Sequence, residues 1–156
     1  MKITKLIVEH DYDFEVLGLI SSAKEYKLVW SINKILSINM IKQKDISFDF
    51  LTRGEIKFSN YLFETEYSSF MLLKNKSCSN FPVLPLLGGD REIEVKNPWL
   101  LPEVKQYDYI IRLKGIFQEY LGSGDTILNA IRTLSIVQYI SKLNVESLKS
   151  KENLIF

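Results

Sequence analysis

In the middle of the chain, around residues 46–59, apolar and polar side chains alternate with a period of two, which commits this stretch to strands. Ile46, Phe48 and Phe50 alternate with Ser47 and Asp49; beyond the turn at Arg53-Gly54, Ile56 and Phe58 alternate with Lys57 and Ser59. Successive side chains of a strand point to opposite faces, so such runs bury one face and wet the other. The second run is expected to continue to Phe63, with residues 67–74 returning antiparallel to it as the third strand of a meander. The period recurs late in the chain, where Tyr107, Tyr109, Ile111 and Leu113 share one face of a strand. Asp108, Arg112 and Lys114 lie on its other face with Ile110. Ser123 or Asp125 can then cap a helix bearing Ile127, Leu128, Ile131 and Leu134, and residues 136–143 return as a strand. So short a strand–helix–strand unit crosses over right-handed and leaves its two strands parallel.

The front of the chain reads differently. Residues 2–8 are expected as a short strand, followed by helices over 13–24 and 26–37. In the second helix Leu28, Ile32, Ile35 and Leu36 recur at helical spacing. The first would open on Asp11 and Asp13 as N-cap acceptors, with Glu15 complementing the helix dipole. A glycine inside it, Gly18, costs about 1 kcal/mol against alanine and points to close helix packing. These patterns predict an α+β fold: N-terminal strand and helix pair, antiparallel meander, C-terminal strand–helix–strand unit, helices on one face of the sheet.

With 156 residues, a single domain over 1–156 is expected, and a chain of that size buries a real core. Its one interruption is a long loop at about 78–102, which holds all four prolines (Pro82, Pro85, Pro98, Pro102) and the Gly88-Gly89 pair. The loop is apolar, with Phe81, Val83, Leu84, Leu86, Leu87, Trp99, Leu100 and Leu101, so much of it is expected to pack on the parent domain. The 20 Lys and Arg balance 19 Asp and Glu, and only four of those cations are Arg. That leaves no basic face for nucleic acid or for an anionic membrane. A lone Cys78 excludes an intrachain disulfide, the first residues carry no secretory signal, and no window reaches the roughly 18–20 apolar residues that span a bilayer. The expected location is the cytoplasm.

Residues 101–109, Leu-Pro-Glu-Val-Lys-Gln-Tyr-Asp-Tyr, resemble the signature of the IPExxxVDY family of Bacteroidota, with Leu101 in place of Ile and Tyr107 in place of Val. Pro102, Glu103, Asp108 and Tyr109 keep the pattern. The resemblance extends to Asp13-Phe14 with Leu17-Gly18, to residues 26–30 with Asn33-Lys34, to the aromatic run Phe58, Tyr61 and Phe63, and to the terminus at 148–156. It implies a housekeeping setting and no particular activity. The window at 81–98 is longer than the family's usual one, so no loop function carries over.

Each candidate site has a competing structural explanation. Glu103 and Asp108 could act as an acid–base or metal-binding pair. The structural alternative is favoured: Glu103 satisfies nearby backbone donors and Asp108 pairs with Arg112 or Lys114. Glu9, Asp11, Asp13 and Glu15 around His10 lack the glycine-containing spacing of a calcium loop and read as a solvated turn. His10 has no triad or zinc set around it, and Ser21, Ser22, Gly88-Gly89 and Cys78 sit in no catalytic context. No catalytic residue, metal or cofactor is therefore expected. Aromatic side chains are the strongest remaining signal. Trp30, Trp99 and Tyr26 belong to it, and Trp30 lies off the apolar stripe of its helix, either under the long loop or exposed as an anchor, while the strand aromatics Tyr61, Phe63, Tyr107 and Tyr109 read mainly as core. Lys149 and Lys151 read as a solvated face. The expected function is a non-catalytic interaction protein, self-associating (a possible homodimer) or docking on another protein through Trp30, Trp99, Pro102, Glu103, Asp108 and Tyr109. The alternative is a small-molecule sensor using the C-terminal strand–helix–strand half.

Overall fold

The computed structural model describes residues 13–50, 54–77, 99–115 and 124–155. In chain order these hold β1 (Phe14–Ile20), α1 (Glu25–Leu36), β2 (Ile41–Lys42), β3 (Ile46–Phe50), β4 (Gly54–Phe58), β5 (Asn60–Glu64) and β6 (Ser68–Lys74). There follow β7 (Tyr109–Gly115), α2 (Gly124–Arg132) and β8 (Tyr139–Leu143), with single turns of 3-10 helix at Pro102–Val104, Val145–Ser147 and Lys151–Leu154. Six strands form one antiparallel sheet in the order β2-β5-β6-β7-β1-β8, and β3 and β4 pair as a separate hairpin. The fold is α+β. Because β7 and β8 flank β1 and both run antiparallel to it, they are parallel to each other, the relation expected across the intervening helix. The expected strand at 2–8, the acids Glu9 and Asp11 with His10, Ser123, Cys78 and the Pro/Gly window as far as Pro98 lie outside the described residues.

Both faces of the sheet are covered. On one, Leu17, Leu19, Phe70, Leu72, Tyr109 and Ile111 meet Leu28 and Ile32 of α1 and Ile127 and Ile131 of α2, so both helices lie on the same side. On the other, Val16, Met71, Leu73 and Ile110 meet Ile56 and Phe58 of the hairpin, Leu100 and Leu101, and Leu148 and Leu154 of the C-terminal turns. This double covering corrects two expectations. Residues 13–24 are not a helix, since Phe14–Ile20 is the strand β1. Val16, Leu17 and Leu19 are each fully buried, so the segment is a continuous apolar run without the alternation that marks a one-sided strand. Glu15 accordingly sits in no first turn of its own segment; it pairs with Lys142 of β8 at 3.0 Å. The second face of β7 is covered as well, with Ile110 fully buried there.

The run from Ile56 to Phe63 is not one strand. It breaks at Ser59, where the chain leaves the hairpin (Ile46 opposite Phe58) and joins the large sheet (Asn60 opposite Leu73). Lys74 N donates to Ser59 O at the break. The helix over 26–37 is α1, ended by Ser37 in the left-handed region at φ 52°, whose successor Ile38 donates to Asn33 O. The side chain of Asn33 then accepts from Met40 N at 2.9 Å and steers the exit towards β2.

Gly18 does mark a close approach, but by a ring and within a strand. A Cβ there would lie 2.6–2.8 Å from Cγ, Cδ1 and Cδ2 of Tyr107. Tyr107 precedes β7 and packs with the layer opposite Tyr109, rather than sharing its face as the alternation implied. Its hydroxyl lies 2.6 Å from Ser141 Oγ, and its ring stacks on Tyr139 at 6.3 Å between centroids. The ring is pinned at both ends and cannot yield easily. Gly18→Ala should therefore destabilise the protein by about 1–3 kcal/mol, the usual cost of overpacking, in a chemical denaturation experiment. An unchanged midpoint would show that the ring moves freely.

Candidate functional site

The segment carrying the signature residues is held in place by one buried amide. Asn75, immediately after β6, is fully buried. Its Nδ2 donates to Val104 O at 3.1 Å and Tyr107 O at 2.9 Å, while its Oδ1 accepts from Leu101 N at 2.9 Å. Its backbone N donates to Asp108 O, and its O accepts from Leu100 N at 2.7 Å. Five bonds from one residue thus fix Leu100 to Asp108, and a bridge between Lys76 and Trp99 extends the attachment.

Within that segment Pro102 opens the 3-10 turn, where a missing N–H costs nothing. Glu103 Oε1 accepts from Ser150 N at 2.7 Å, the backbone-donor role expected of it. Burial opposes the charged form, but Ser150 and neighbouring backbone donors prevail and hold the carboxyl below its ordinary 4.5. Asp108 corrects an expectation. Its Oδ2 accepts from Ser21 N at 3.0 Å, while Arg112 Nη1 donates instead to Leu154 O at 2.6 Å and Lys114 lies 3.9 Å from Asp13. Ser21 is itself buried and donates from Oγ to Ile136 O at 2.6 Å, so it is a structural serine.

Asp108, Tyr109 and Trp99 line one cavity of about 610 Å³. Ser21 to Tyr26, at the amino end of α1, form one wall, and Tyr61 of β5 with Lys74 and Lys76 forms another. Glu25 sits at the junction. Its Oε1 lies 3.5 Å from Lys74 Nζ, and its Oε2 accepts from Ser59 Oγ at 2.6 Å. Ser59 Oγ in turn accepts from Lys42 Nζ, which also lies over the Tyr61 ring at 5.2 Å. The Tyr109 hydroxyl donates to Ala23 O at 2.9 Å. Burial, then the nearby carboxylates of Glu25 and Asp108, push that phenol up to about 12. The same two causes, burial and Glu25, raise Tyr61.

Three of the six predicted site residues therefore converge on this cavity. Pro102 and Glu103 do not reach it, and Trp30 stands apart on α1, 63% exposed, with Lys34 Nζ 5.0 Å from its ring centroid. Sequence reasoning missed Asn75, Glu25, Lys74 and Ser59. No spacing joins them: the antiparallel pairing of β6 with β5 and β7 gathers Ser59, Lys74 and Asn75, and the packing of α1 on the sheet brings Glu25 to them. Among the described residues no three His, Cys, Asp or Glu side chains gather as metal ligands, and no helix is long and apolar enough to cross a membrane. Compared with protein-family models, curated proteins and solved structures, the chain finds no match in any of the three.

Two outcomes follow from this geometry. Asn75→Ala strands the Tyr107 carbonyl and the Leu101 N–H in the interior, while Val104 O keeps its bond from Tyr107 N, and should cost about 2–4 kcal/mol of unfolding free energy, each buried unpaired group costing roughly 1–3. A loss under about 1 kcal/mol would mean that water replaces the amide. Tyr109 has a folded pKa raised above its unfolded 10, so its contribution to stability is complete below pH 10 and lost as pH climbs towards 12. Tyr109→Phe should flatten the stability-versus-pH curve over that window, followed by denaturation at each pH. An unaltered slope would assign the alkaline transition to other groups.

Proposed function

We propose that this chain is a non-catalytic cytoplasmic binding protein of the IPExxxVDY family, docking another protein or a second copy of itself on the outer face of α1. The family assignment rests on Pro102, Glu103, Asp108 and Tyr109 in their spacing. The observation that carries the docking surface is the exposure of Trp30 (63%) and Tyr26 (59%), one helical turn apart on the same side of α1. Tryptophan and tyrosine are the side chains most enriched at binding hot spots, and two adjacent ones in water are an unusual use of large apolar area. The carboxylates of Glu103 and Asp108 both accept backbone N–H bonds, which supports a structural rather than a catalytic use of the signature acids.

A second reading, small-molecule binding, is favoured by the cavity. Its place differs from the C-terminal half considered from the sequence: only Asp108 and Tyr109 of that half reach it, and neither α2 nor β8 contributes.

Trp30→Ala tests the docking surface. Because the side chain is exposed, the melting temperature should stay within the range of ordinary surface substitutions. Association, measured by light scattering for the dimer and by stoichiometric capture for a heterologous partner, should weaken by roughly thirtyfold, about 2 kcal/mol. A wild-type protein that is monomeric and captures nothing in stoichiometric amount would overturn the reading.

A further inference from the structure

We propose that the cavity at the amino end of α1 binds a small zwitterion bearing a planar ring, the chemistry of an aromatic amino acid or of a dipeptide containing one. This rests on the second reading above, that the cavity is a ligand site, and adds the class of ligand.

The charges on the lining carry the argument. Glu25 and Lys74 lie 3.5 Å apart and answer each other. Asp108 commits only Oδ2, to Ser21 N; among the described residues its other oxygen accepts no hydrogen bond. Lys24 and Lys76 also line the cavity, and among the described residues neither has a carboxylate within ion-pair distance. Both signs of charge are thus on offer within one recess. A purely anionic ligand would answer the lysines and face the Asp108 carboxylate, while a purely cationic one would do the reverse. A zwitterion satisfies both at once, with its ammonium at Asp108 and its carboxylate at the lysines.

The walls specify the remainder. Trp99 and Tyr61 present rings to the recess, and flat aromatic surfaces select flat partners in offset or edge-to-face contact. Lys76 Nζ stands 6.0 Å from the Trp99 centroid, the outer reach of a cation–π contact, so little holds it from a ligand carboxylate. At about 610 Å³ the space lies within the range of small-molecule sites.

The probes are L-tryptophan, N-acetyl-L-tryptophan and L-tryptophanamide, read by isothermal calorimetry on the full chain. L-Tryptophan should bind at least tenfold more tightly than either blocked form, since each lacks one charge. The variants should sort these losses. Asp108→Asn keeps an oxygen for Ser21 N–H and should weaken L-tryptophan while sparing N-acetyl-L-tryptophan. Lys76→Gln, at an exposed side chain, should weaken L-tryptophan while sparing the amide. If the blocked forms bind as tightly as the free amino acid, and Tyr61→Ala weakens all three, the cavity is a ligand site but the zwitterion inference is wrong. If none of the probes binds, the zwitterion inference falls. If, in addition, an aromatic fragment panel finds no binding sensitive to Tyr61→Ala, the cavity reading falls as well.

Discussion

Asn75 is an amide with no exposure to water, and all of its hydrogen-bonding capacity is spent on the stretch between Leu100 and Asp108. The placement of Trp99 against Lys76, of Asp108 against Ser21, and of Tyr107 over Gly18 depends on that attachment. An apolar side chain of similar shape could fill the space, but it could not align an irregular backbone. Irregular chain between two strands carries N–H and C=O groups that no ladder satisfies, and buried groups of that kind need partners. Here one side chain supplies an acceptor and two donors in the geometry such a segment requires.

The fold was legible where burial is one-sided. The stripes Leu28, Ile32 and Leu36 and Ile127, Leu128 and Ile131 located α1 and α2 by their helical spacing, and the alternation at Ile46–Phe50 located β3. It was illegible where burial is two-sided: Val16–Leu19 has no polar partner positions to betray a period of two, so the run resembled a helix. The change of sheet falls at the polar pair Ser59-Asn60, where the alternation of Ile56 and Phe58 stops, too slight a mark to separate two strands. Of the site, the aromatic and acidic members near residue 108 stood out as a local string. Lys74 and Asn75 join them through strand pairing and Glu25 through the packing of α1 on the sheet, neither of which a local pattern records.

Glu103 and its neighbours tie the string at 101–109 to the end of the chain. Glu103 holds Ser150, Asn153 Nδ2 donates to Leu100 O at 2.8 Å, and Arg112 holds Leu154 O. Three bonds from three parts of the chain thus close the C-terminal turns over the face that Leu148 and Leu154 complete. The resemblance at 101–109 and the resemblance at the terminus are therefore two sides of one contact.

The position of β1 has a consequence for how the chain must assemble. It lies between β7 and β8, with Phe14 opposite Lys114 and Val16 opposite Leu143, so both of its neighbours come from the far end of the sequence. A chain made from its amino end has Val16, Leu17 and Leu19 in hand long before either partner exists. During synthesis β1 is thus an apolar ribbon with two unmatched edges, open to any other strand that offers them hydrogen bonds. Closing a loop of this length precedes the reward of the contacts, which places the sheet among slow, non-local topologies. The order of events follows: β5 and β6 can zip together early, while the centre of the sheet waits for the last third of the protein.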